Sequence, residues 1–129
     1  MTKVRFASLV AEALWGFVEY DLVSAVFGFG SIYRRLAAAG GAEVRSDLRG
    51  AEVVSRAIEL AACFYWKPVL CLQRSVVMVA VLKKRGIRAN VVIGYRGDPF
   101  FAHAWVEVDG RVLNDSAAFP KRLRILCRI

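Results

Sequence analysis

A cysteine, a histidine and an acid are the parts of covalent acyl transfer: a nucleophile, a base that takes its proton, and a group that orients the base. The chain holds one histidine, His103, within P-F-F-A-H-A-W-V-E-V; Cys71 opens C-L-Q-R-S-V upstream and Asp115 follows downstream in V-L-N-D. Cys71 comes just after the break at Pro68 and falls in the first turn of a predicted helix. Free N–H groups and the positive end of the helix dipole favour thiolate over thiol there. Cys63, in a helix interior, and Cys127, in an alternating strand, read instead as small core residues. A histidine in an apolar strand is more often structural than catalytic. His103 rises above that reading because it is the only imidazole available. In these roles Cys71 attacks a carbonyl, His103 takes and later returns the proton, and Asp115 orients His103 and stabilises the imidazolium. The Cys71 backbone N–H is the first candidate for the oxyanion donor, with the Trp66 indole second.

Whether Asp115 reaches His103 depends on the register of the hairpin at Asp109-Gly110. A two-residue turn pairs Val108 with Arg111 and puts Asn114 on the histidine face, with Asp115 on the other. A three-residue loop makes Gly110 a left-handed bulge, pairs Glu107 with Arg111 across the ladder, and sets Asp115 opposite His103. The second register satisfies a charge pair and a glycine together, and is the one expected. Asn114 is the fallback orienter, since an amide can also hold an imidazole.

The elements that must position these residues follow from periodicity. Val10, Ala13, Leu14, Phe17 and Val18 mark a helix over about 6–27. Trp15 and Tyr20 fall outside the main stripe and read first as core, with a docking surface as the sharper alternative. Gly28 and Gly30 punctuate it, Ser31 can cap a short helix through Ala38, and Gly40-Gly41 stop that helix. After a loop over 42–49, a helix starting at Ser46 or Asp47 runs to about Tyr65 on a stripe of Val54, Ala57, Ile58, Ala61 and Ala62. Pro68 forbids continuation. The Cys71 helix ends at K-K-R-G, where the basic residues complement the dipole and Gly86 takes the cap. Strands are expected over 89–95, 101–108 and 111–115, with a G-D-P turn at 97–99, and a last one where Leu123, Ile125, Cys127 and Ile129 alternate with arginines. The fold class is α+β, with N-terminal helices followed by a small antiparallel sheet.

A chain of 129 residues suits one domain over 1–129. The composition is 57% hydrophobic, high for a soluble protein, and points to a membrane or to apolar surface kept for a partner. Glu12, Glu19 and Asp21 interrupt the longest apolar stretch before it reaches the roughly 20 residues a span requires. A partner is therefore the expectation. Glu12 likewise breaks the apolar region a signal peptide needs. Three cysteines without C-x-x-C spacing favour neither a disulfide framework nor a zinc site, which suits the cytoplasm. The net charge of +8 comes from scattered Lys and Arg. It attracts acidic partners in general, and no recognisable nucleic-acid module accompanies it.

The order Cys, H-A-W-V-E-V, Asp resembles the transglutaminase-like branch of the papain-type cysteine enzymes. More closely, C-L-Q-R-S-V, L-K-K-R-G-I-R-A, V-V-I-G-Y, P-F-F-A-H-A-W-V-E-V-D-G and L-N-D-S resemble the leader peptidases of bacterial lasso-peptide biosynthesis, over about residues 54–129. The resemblance implies a papain/transglutaminase-like core over 51–129, a catalytic triad of Cys71, His103 and Asp115, and no cofactor or metal. It implies removal of the leader from a ribosomally made precursor peptide, with a cyclase acting afterwards. About 50 helical residues precede the matching region, too few for a leader-recognition domain with its linker. A separate leader-recognition protein is then expected to dock on the apolar first helix of region 1–50. Two other readings stay open: a transglutaminase-like acyl transferase using the same triad, and a silent binding module in which Cys71 and His103 merely pack.

Overall fold

The computed structural model describes residues 3–38, 47–97, 100–108, 110–113 and 124–129. Among the described residues four helices come first: α1 (Lys3–Phe27), α2 (Phe29–Ala38), α3 (Leu48–Phe64) and α4 (Cys71–Lys84). Four strands follow, β1 (Asn90–Gly97), β2 (Phe100–Val108), β3 (Arg111–Val112) and β4 (Arg124–Arg128), in one antiparallel sheet of order β3-β2-β1-β4. The Gly40-Gly41 stop, Ser46, Asp98-Pro99, Asp109, Asn114, Asp115 and Leu123 lie outside the described residues.

α1 places Leu9, Ala13 and Phe17 in the core, with Val10, Leu14 and Tyr20 packed against it. Trp15, expected inside, is 59% exposed: it lies on the far side of the Ala13–Phe17 stripe. α1 breaks at Gly28 and α2 begins at once with Phe29, so Ser31 lies inside α2 and does not cap it. α3 starts where expected, with Asp47 accepting from the Gly50 N–H at 2.9 Å. It buries Val54, Ala57, Ile58 and Ala61. Cys63 is exposed, against the expectation of a core residue. It stands two residues past Ala61, roughly 200° round the helix from the buried stripe.

α4 is the centre of the molecule. Its Val76, Val77, Met78, Val79, Val81 and Leu82 are buried between α1 and α3 on one side and the sheet on the other. It ends as read: the Gly86 N–H donates to Lys83 and the Ile87 N–H to Leu82, both at 3.0 Å, around a Gly86 φ of 71° that a side chain would strain.

The hairpin register differs from the expected one. Val108 pairs with Arg111 and Glu107 with Val112, the two-residue turn, with Gly110 at φ 77°. Glu107 has better partners than Arg111: the Trp105 indole donates to it at 2.8 Å and the Arg128 guanidinium lies at 3.8 Å. The charge pair used to choose the longer loop is therefore unnecessary. A register shift against β1 between Ile93 and Gly94 interrupts the simple alternation expected of β4.

Candidate active site

Cys71 is the first residue of α4, half-buried and packed on the helical core. Leu70 takes the capping position with extended angles but has no side-chain acceptor, and its carbonyl accepts from the Arg74 N–H at 3.0 Å. No side chain of the capping residue competes for the first N–H groups of the helix, Cys71 among them, so a developing oxyanion could use them. The Trp66 indole is 80% exposed and interacts with the Tyr65 hydroxyl. Of the two candidate donors, the Cys71 N–H suits the role better.

His103 lies mid-strand in β2, paired with Gly94 of β1. Its ring is stacked in a row with Phe101 (6.1 Å between centroids, 20° between planes) and Trp105 (6.2 Å, 26°). Trp105 is fully buried and fixed through its indole to Glu107, so the row has a rigid end. Alternation along β2 sends Ala104, Val106 and Val108 into the core shared with α4. His103 is on the other face, with Phe101 and Trp105. The fold thus carries Cys71 and His103 on packed elements, α4 and β2, with the imidazole on the sheet face turned away from the helical core. The pairing of Val108 with Arg111 removes the register argument for Asp115. Asn114 and Asp115 both lie outside the described residues, and the case for Asp115 rests on the resemblance alone.

A polar cluster beside Cys71 escaped the sequence reading, which treated Asp21 only as a charge interrupting an apolar stretch. The Asp21 carboxylate accepts from the Tyr65 hydroxyl, from Lys67 Nζ at 2.8 Å and from Gln73 Nε2 at 3.1 Å. Burial alone would raise the Asp21 carboxyl, but the bonds from Lys67 and Tyr65, the Lys67 charge and the Gln73 amide together hold it below its ordinary value. Burial, with the bond to Asp21, raises the Tyr65 phenol. The available signal was spacing: Asp21 stands four residues after Phe17, on the buried side of α1.

These features meet their family in the comparisons. The chain belongs to the transglutaminase-like superfamily, whose family model matches residues 14–128. Over 59 residues it is 41% identical to the microcin J25-processing protein McjB of Escherichia coli. That segment is 46% of this chain and 28% of the relative, so the chain spans well under half of the protein it matches. No solved structure matches the chain. Among the described residues, no helix is long and apolar enough to cross a membrane.

Proposed function

We propose that the protein is a cysteine endopeptidase that removes the leader from a ribosomally synthesised lasso-peptide precursor. The observation that carries the reading is Cys71 at the uncapped first position of α4, in a chain of the transglutaminase-like superfamily that is similar to a microcin-processing protein. The Cys71 thiolate adds to the scissile carbonyl, and the oxyanion forms near the Cys71 N–H. The C–N bond then breaks as His103 gives its proton to the leaving amine, leaving a thioester. Water adds next, His103 takes its proton, and the C–S bond breaks to release the free acid and restore the thiolate. Asp115, or Asn114 in its place, orients His103. In this reading the thiol meets the imidazole beyond the N-terminal start of α4, since His103 is on the sheet face turned from the core.

A separate recognition protein presents the leader, with the cyclase following. The exposed Trp15, Leu22, Val26 and Phe27 on α1 support such docking, being apolar side chains that single-chain packing leaves in water. The test mixes the protein, the recognition protein and the precursor, and reads product masses. Cleavage yields the two hydrolysed fragments, and Cys71→Ala abolishes them. Trimming that survives Cys71→Ala refutes the assignment.

A further inference from the structure

We infer that Asp21 is a positioning residue for the Cys71 thiol, tying the chain on both sides of it to α1 and setting the charge behind it. The inference rests on Cys71 being the nucleophile. Its basis is where the three donors to Asp21 stand. Tyr65 is just past the end of α3, Lys67 is in the connection, and Gln73 is on α4 two residues beyond the thiol. The same Gln73 nitrogen also donates to the Phe17 carbonyl at 3.1 Å. A single exposed ion pair would carry little weight. Here Asp21 is 22% exposed and Gln73 only 5%, so the bonds replace water that these groups have largely lost. From the other side Arg74 donates to the Val69 carbonyl at 3.0 Å and pairs with Glu59 at 3.3 Å. The connection from Tyr65 to Leu70, which aims the thiol, is thereby held by side chains on two flanks.

The cluster also sets charge. Tyr20, next to Asp21 in sequence, has its phenol raised first by burial and then by the negative charges of Asp21 and Cys71. Asp21 and the thiol therefore share one electrostatic neighbourhood, whose charged and titratable members are Tyr20, Asp21, Tyr65 and Lys67. Asp21 and Lys67 carry opposite charges 2.8 Å apart, and their pairing keeps the sum near zero. Breaking the pair from either side removes the same contact but leaves opposite charges.

That asymmetry supplies a test needing no precursor, so it stands apart from the trimming assay. Asp21→Asn and Lys67→Gln proteins are treated with iodoacetamide at neutral pH, and alkylation of Cys71 is followed by peptide mass spectrometry with exposed Cys63 as the internal reference. Asp21→Asn should alkylate about threefold faster at Cys71 and Lys67→Gln about threefold slower, each relative to Cys63. A purely structural role moves both variants in the same direction, and that result, or no change in either, overturns the inference. Should Asp21→Asn fail to fold by circular dichroism, Lys67→Gln decides alone: slower alkylation supports it, equal or faster alkylation overturns it.

Discussion

Two helices begin in contrasting ways. α3 starts on Asp47, whose carboxylate accepts from the Gly50 N–H at 2.9 Å. The fit is so close that a Cβ at Gly50 would lie 2.6 Å from that carboxylate. α4 starts on Leu70, whose extended backbone suits a cap but whose side chain is 71% exposed and offers nothing to the N–H groups. A cap contributes ~1 kcal/mol, and α4 does without it because its middle is buried on two sides and its C-terminus is closed by backbone bonds at Arg85, Gly86 and Ile87. The donors that stability does not require stay available at the one helix start where a cysteine is placed. The contrast separates a helix start held by a side-chain cap from one whose first N–H groups no capping side chain occupies.

Three substitutions sharpen that contrast, the largest in effect first. Leu82→Ala, at a fully buried position in the middle of α4, should cost about 2–5 kcal/mol in urea unfolding. If the middle carries the helix, adding Leu70→Asp recovers no more than ~1 kcal/mol. Leu70→Asp alone should raise stability by up to ~1 kcal/mol while slowing Cys71 alkylation by about fivefold, because the new carboxylate takes the free N–H groups and opposes the thiolate. An unchanged alkylation rate would mean that the open start has no bearing on the thiol. Asp47→Ala, the converse change at α3, should lower stability by ~1 kcal/mol and leave the Cys71 rate alone.

What could be read in advance follows the same division. Helix extents were legible wherever one stripe was buried and the ends carried chemical stops: Asp47 for α3, Pro68 before α4, Gly86 after it. Faces were less legible. Cys63 and Trp15 are apolar enough for a core, yet helical geometry turns them outward, and composition alone does not show rotation about an axis. The hairpin register failed because Glu107 was assigned Arg111 when Trp105 and Arg128 were closer. The places of Cys71 at a helix start and His103 in a strand were legible from local pattern. The Asp21 cluster was not, since it joins residues 44 to 52 positions apart, and no local spacing reports such a meeting.

The smallest expected effect tests whether that cluster is held by charge. The Asp21 carboxyl is depressed below 3.8 in the folded protein, so between that lowered value and 3.8 the unfolded chain binds more protons. Its stabilisation is therefore complete above 3.8 and lost as pH falls through the folded value. The melting-temperature gap between the parent protein and Asp21→Asn should stay constant from neutral pH to about pH 5 and close in more acid solution. The Tyr65 phenol is shifted the other way, above 10.0, so its contribution is complete below 10.0 and lost as pH rises through the folded value. Tyr65→Phe should accordingly show its deficit at neutral pH and lose it in alkali. A gap for Asp21→Asn that stays flat to pH 2 would mean that an uncharged carboxyl accepts from Tyr65, Lys67 and Gln73 as well as a carboxylate does. The cluster would then hold the start of α4 by shape alone, with no charge to pass on to the thiol.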